Sequence, residues 1–320
     1  MKRIPKIGLA LGGGSVRGLA NIGVLKVLEG VGITVDAVAG TSMGAIVGAI
    51  YSVAPNALSL EKRALGFLSS KEFKDIGLEF LRKDSDLDAK LFARLAGQIR
   101  EKYIWSVGVL RPSLIPGEKL ERALDWVIPD IDVSETQIPF AAVALDLQSG
   151  EDVIMTDGSL RRAVLASSSI PGVFPPVQEG EQLLTDGGPT SIVPVRAARA
   201  IGAEVVIAID LRPELGTDTH PASGLDVMFR TDDILRFRYN ESQVALADIV
   251  IRPDVGNIHW ANFTRAPFCI RVGEEATRRQ IDEILMLARG RGAVTRAWQA
   301  GRQALARVWS RRSGEPVAPE

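Results

Sequence analysis

The sequence predicts an α/β fold, with a mainly parallel central sheet sandwiched by helices, and three observations carry that prediction. Short apolar runs of strand length alternate with longer segments of helical period. Two of those runs pass directly into glycine turns that open helices. The 320 residues are 46% hydrophobic and 24% charged, enough apolar mass to bury a sheet beneath helices on both faces.

The first strand, Lys6 to Leu11, ends in Gly12-Gly13-Gly14-Ser15-Val16-Arg17-Gly18, which opens an amphipathic run to Glu29. Three successive residues without Cβ can turn their N–H groups toward one point. Beside a nucleophile, that point is an oxyanion hole. Arg17 sets a cation at the same mouth, suited to a phosphate or to orienting the loop. A Walker A loop closes on Gly-Lys-Ser/Thr, where this chain has Arg17-Gly18, and no register of the triple glycine satisfies G-x-G-x-x-G. Asp36 stands at a ribose-binding distance but precedes its strand, which leaves a nucleotide-binding oxidoreductase as a minor reading.

The second strand, Ala37 to Ala39, leads into Gly40-Thr41-Ser42-Met43-Gly44 and a helical run from Ala45 to Ile50. This G-x-S-x-G pattern is that of a nucleophile elbow. It projects Ser42 Oγ at a helix N-terminus, whose partial positive charge favours developing negative charge. Gly40 and Gly44 remove the Cβ atoms that would collide across the bend, and the amide of Met43 is a further oxyanion donor. An ordinary serine on a glycine-rich turn is the plainer alternative.

Between residues 56 and 129 the strand signal lapses into helical stretches, Leu60 to Ser69 and Ala89 to Lys102, with large apolar groups such as Phe67, Leu68, Phe73, Phe92 and Trp105. This insert either lines an acyl-chain groove, covers the site as a lid, or packs on the sheet. Strands then follow at Phe140 to Leu145, Val153 to Met155 and Gln182 to Thr185, the last ending in Asp186 on the turn Gly187-Gly188. A serine nucleophile needs a base. The chain has two histidines, His220 in a polar turn and His259 beside Trp260, and both read as exposed or structural. A desolvated Asp186 can take the serine proton directly, although Asp-Gly-Gly alone also suits a plain turn. Strands Glu204 to Asp210 and Ile249 to Ile251 complete the sheet.

Together the glycine loop, the elbow and the Asp-Gly-Gly turn, in that order, resemble the patatin-like phospholipases. Ala166-Ser167-Ser168-Ser169-Ile170-Pro171-Gly172-Val173-Phe174-Pro175-Pro176 matches a fourth element of that family, and the strand from Ala141 to Asp146 a weaker fifth. The resemblance covers about residues 6 to 210 and implies acyl-ester hydrolysis by a Ser-Asp dyad, with no metal, histidine or other cofactor. Carried over by position, Ser42 is the nucleophile, Asp186 the base and Gly12 to Gly14 the oxyanion loop. Ser15 departs from the Gly or Ala common in relatives, which puts in question which amide points inward.

The formal charge of −1 gives no bulk attraction to nucleic acid, and the lone Cys269 suits a reducing, cytoplasmic compartment. The basic N-terminus lacks the apolar stretch of a signal peptide, and no run is long enough for a membrane span. Any membrane contact is therefore peripheral, at the inner membrane face. From Arg289 to Arg312 there are seven arginines and no acid, with Trp298 and Trp309 on one apolar stripe. That stripe docks on the domain, on a second subunit of a homo-oligomer, or on anionic lipid. The expected organisation is a patatin-like α/β hydrolase domain over residues 6–252 with the helical insert at 56–129. A C-terminal helical extension at 253–312 packs on it, and 313–320 form a disordered tail. The expected function is a serine acyl hydrolase cleaving lipid esters of phospholipase or lysophospholipase type. The alternative is a non-catalytic module that binds anionic lipid on the same fold.

Overall fold

The computed structural model describes residues 5–81, 113–212, 215 and 224–288. Its strands are β1 (Ile7–Leu11), β2 (Ala37–Gly40), β3 (Phe140–Asp146), β4 (Asp152–Met155), β5 (Val177–Glu179), β6 (Gln182–Asp186), β7 (Val205–Ile209) and β8 (Ile249–Ile251). They join in one sheet of order β5-β6-β3-β2-β1-β7-β8, with β4 paired to β3. From β3 to β8 every neighbour is parallel, while β4, β5 and β6 form an antiparallel flank. Every residue of β1 and β2 is buried, as a parallel sheet covered on both faces requires.

The helices are α1 (Ala20–Gly30), α2 (Met43–Val53), α3 (Ala57–Leu68), α4 (Lys71–Ile76), α5 (Gly117–Val127), α6 (Leu160–Ser167), α7 (Gly188–Ser191), α8 (Val195–Ala200), α9 (Gly224–Val244), α10 (Ala266–Arg279) and α11 (Ile281–Ala288). Alternation along the strands divides the core. Leu9, Leu11, Val38 and Ile207 face one cluster with α1, α2 and α10, whereas Ala10, Ala39 and Ala208 face a second with α8 and the end of α9. Two glycines let α1 and α10 cross at backbone contact. A Cβ on Gly23 would lie 2.0 Å from the Ile270 carbonyl oxygen, and one on Gly273 2.1 Å from that of Ala20.

Strand register explains why distant motifs meet. The carboxyl ends of β1 and β2 are adjacent, with Leu11 opposite Gly40, and Gly40 stands opposite Ala142 of β3. Ala144, two residues further along β3, stands opposite Asp186 on antiparallel β6. The glycine loop, the elbow and the acid thus converge at one end of the strands. Asp36 sits at the other end, where its carboxylate accepts the Ile7 amide at 2.7 Å, so it caps the entry of β1 rather than holding a ribose.

All seven expected strands form. An eighth strand, β5, is not signalled by the sequence, since its Val177–Glu179 follows Pro175-Pro176 and has two exposed residues of three. In the insert, α3, α4 and α5 form, while the stretch Ala89 to Lys102 with Phe92 and Trp105 lies outside the described residues. His220, the arginine-rich segment from 289 to 312 and the tail also lie outside them.

Candidate active site

Ser42 is the residue between β2 and α2, and its backbone holds φ 56 and ψ −125, a left-handed conformation uncommon outside glycine. The flanking glycines make that turn sterically possible. A Cβ on Gly40 would lie 2.3 Å from the Gly44 carbonyl oxygen, and one on Gly44 2.0 Å from that of Leu11. The Ser42 N–H donates to Ser167 Oγ at 3.0 Å, and Ser167 in turn donates to the Val143 carbonyl at 2.6 Å. The Ser42 carbonyl opens α2 by accepting from the amides of Ala45 and Ile46.

Asp186, the last residue of β6, is 4% exposed. Burial pushes its carboxyl up to about 6, and two hydrogen-bond partners, the Ser42 side chain and the Gly188 N–H, pull the other way. The Gly188 bond reaches Oδ1 at 2.8 Å and fixes the carboxylate on its turn. Gly187 is required there because a Cβ would press to 2.7 Å from the Val143 carbonyl oxygen. A carboxylate of this acidity beside a hydroxyl is a competent proton acceptor near neutral pH.

The glycine loop lies against the serine, since a Cβ on Gly13 would come within 3.2 Å of Ser42 Cβ. Gly12 passes too close to the Ile209 carbonyl for a side chain, and its own carbonyl accepts from Asn21 Nδ2 at 3.0 Å. One expectation needs correction. The Gly13 N–H does not face the site but donates to the Ile192 carbonyl at 2.9 Å. The backbone turns over at Gly14 (φ 133) and Ser15 (φ 53), and no acceptor among the described residues takes the N–H of Gly14, Ser15 or Met43. Gly18 leaves the room that Met43 needs, 2.5 Å from where its Cβ would stand. Arg17 Nε donates to the Gly14 carbonyl at 3.4 Å, tying the loop from behind. Burial lowers the pKa of Arg17, and no carboxylate among the described residues pairs with it.

A two-residue segment unforeseen in the sequence braces these parts. Thr41 Oγ1 donates to the Ser191 carbonyl at 2.7 Å, and the neighbouring Ile192 carbonyl receives the Gly13 amide. The Ile192 N–H donates at 2.9 Å to Oδ1 of Asn240, a buried residue of α9. Nothing local in the sequence marks Asn240. Ser167 was legible only as part of a family motif. His259 lines neither lobe of the site described next, and its Nδ1 accepts from the Ala261 amide at 3.2 Å.

Two lobes meet at Ser15, Ser42 and Ile170. One is apolar, walled by α2, α3, α4 and α5, and includes Phe67, Leu68 and Phe73 of the insert. The other is the more polar of the two, with a volume of about 630 Å³, and carries Arg17, Asp186, Arg212, Arg230 and Arg236. Arg212 is held by a bidentate bond to buried Asp210 and lies over the Phe237 ring. Elongated amphipathic molecules match such a division, with the chain in one lobe and the polar end in the other.

The chain is similar to several known proteins. The mouse patatin-like phospholipase domain-containing protein 6 is 32% identical over 214 residues, 66% of this chain and 14% of that protein. An uncharacterised NTE family protein of Mycobacterium tuberculosis (strain ATCC 25618 / H37Rv) is 32% identical over 218 residues, 68% of this chain and 51% of that protein. The chain therefore spans between a seventh and about half of the length of these relatives. Among solved structures, VipD from Legionella pneumophila superposes with a TM-score of 0.48 at 14% identity, covering 88% of this chain and 67% of that one. No helix among the described residues is long and apolar enough to cross a membrane. A model of the patatin-like phospholipase family matches residues 9–199, the span that holds the glycine loop, the elbow and the acid, and the chain belongs to that family.

Proposed function

We propose that this protein is a serine acyl hydrolase that cleaves carboxylic esters of lipids, as a phospholipase or lysophospholipase. The observation that carries the reading is Ser42, held in a strained turn beside a buried carboxyl with a pKa of about 6, where an apolar lobe meets a more polar one. The acyl chain enters the apolar lobe and the headgroup side of the ester rests among the arginines. Asp186 accepts the Ser42 proton as Oγ attacks the ester carbonyl carbon. The carbonyl oxygen becomes an oxyanion, received by the N–H groups of Gly14, Ser15 and Met43. Each well-aimed donor is worth about 3 kcal/mol in the transition state. Protonated Asp186 returns the proton to the departing alcohol, leaving an acyl-serine. Water then gives a proton to Asp186 and attacks that ester, and collapse releases the fatty acid with the proton restored to Ser42.

Substrate lipid is met at a bilayer surface, with the protein bound peripherally. The deciding experiment is fluorophosphonate labelling of wild type and Ser42→Ala. Wild type takes the label and hydrolyses p-nitrophenyl esters, whereas the variant does neither while keeping its circular dichroism spectrum. A variant with wild-type turnover overturns the assignment. A folded wild type that takes no label points instead to a non-catalytic module binding anionic lipid.

A further inference from the structure

The apolar lobe has a direction. Met43, Ile46, Val47 and Ile50 recur at helical spacing along α2 and all line it, so the lobe starts at Ser42 and follows the helix. Among the described residues its polar lining is limited to Ser15, Ser42 and Ser168, at the serine end. The opposite face of α2 is pinned to the sheet. A Cβ on Gly48 would stand 3.0 Å from both Phe140 and Val38, so the helix cannot retreat from a ligand. At the far end, Ile50 is 7% exposed and Leu60 and Val127 are each 2% exposed. Arg63, one turn beyond Leu60 on α3, donates to the Val127 carbonyl and draws these walls together.

Resting on the hydrolase reading, we propose that the acyl chain lies extended along α2 and that Val47 and Ile50 are graded positions that determine which chain lengths are accepted. An α-helix rises about 1.5 Å per residue. An extended hydrocarbon advances about 1.3 Å per carbon, from carbon–carbon bonds of about 1.5 Å in zigzag. Measured from Met43, Val47 therefore stands about 6 Å along the chain, beside roughly the fifth carbon. Ile50 stands about 10 Å along, beside roughly the eighth.

The test is the profile of kcat/KM against acyl length for p-nitrophenyl esters from acetate to myristate. It is measured for wild type, Val47→Phe and Ile50→Phe, each normalised to its own acetate rate. Val47→Phe should fall at least tenfold below wild type beyond about five carbons, and Ile50→Phe beyond about eight, a separation of three to four carbons. Variants that fall at the same length, or that keep the wild-type profile, overturn the proposal. If a phenylalanine variant hydrolyses no ester, Val47→Ala and Ile50→Ala decide. A loss of about threefold or more in the preference for octanoate over butyrate supports the alignment, since wall contacts are gone, and an unchanged preference refutes it. Failure is separable from failure of the hydrolase reading. In that case wild type itself neither hydrolyses acetate nor takes the fluorophosphonate.

Discussion

Replacing Asp186 by Asn tests both the chemistry and its energetic cost. Burial raises the carboxyl from 3.8 to about 6. That difference of about two pKa units corresponds to about 3 kcal/mol. The sign follows from proton binding. Between pH 4 and pH 6 the folded protein holds the Asp186 proton more tightly than the unfolded chain does, so stability declines as pH rises through this window. The penalty is absent well below pH 3.8 and complete above about pH 6. Asparagine has the same shape, can still accept from the Gly188 N–H and carries no charge. Asp186→Asn should therefore be more stable than wild type at pH 8 by up to about 3 kcal/mol, with the advantage vanishing near pH 4. Urea denaturation at the two pH values measures it. Activity should move the other way. Wild-type kcat/KM should drop about tenfold from its plateau to pH 5, because only about a tenth of the base is then ionised. The variant should lose about 10²–10⁴ in kcat at every pH. An active Asp186→Asn enzyme, or a wild-type profile flat down to pH 5, would refute the role given to this carboxyl.

Further outcomes follow from individual contacts. Gly44→Ala sets a Cβ 2.0 Å from a backbone carbonyl that cannot rotate away, and should cost about 3 kcal/mol or more. Gly66→Ala, on the exposed face of α3 with nothing within 4 Å, should instead raise stability by about 0.5–1 kcal/mol, both changes being read by urea denaturation. Ser167→Ala leaves the buried Ser42 N–H without its acceptor. It should cost about 1–3 kcal/mol and slow fluorophosphonate labelling, and unaltered labelling would deny Ser167 its place under the elbow.

What could be read from the chain, and what could not, divides by the range of the interaction. The elbow was legible because its constraint is local: glycines two residues either side of Ser42 answer clashes within the same turn. β1 and β2 were legible because a strand buried on both faces is continuously apolar. β5 was not, since three residues after a proline pair take their strand identity from β6 rather than from a pattern of their own. The fate of the Gly13 amide was equally hidden. Its acceptor, Ile192, belongs to a segment whose position depends on the whole sheet closing. The phenylalanines at 67 and 73 were recognisable as apolar surplus, but only the packing of α3 onto α2, and of α4 onto α3 and α5, assigns them to the apolar lobe.

The shelf formed by Ser191 and Ile192 separates two kinds of change in this scaffold. Thr41 hangs from it across 150 positions of sequence, and Gly13 hangs beside it. Ser42 and Asp186 are thus aligned by strand ends and by this crossbar, while α3, α4 and α5 contribute only a roof. Such a roof can be lengthened, shortened or exchanged over generations without disturbing the atoms beneath. On the hydrolase reading proposed above, new chain preferences are therefore open to this architecture while its bond-breaking chemistry stays as it was.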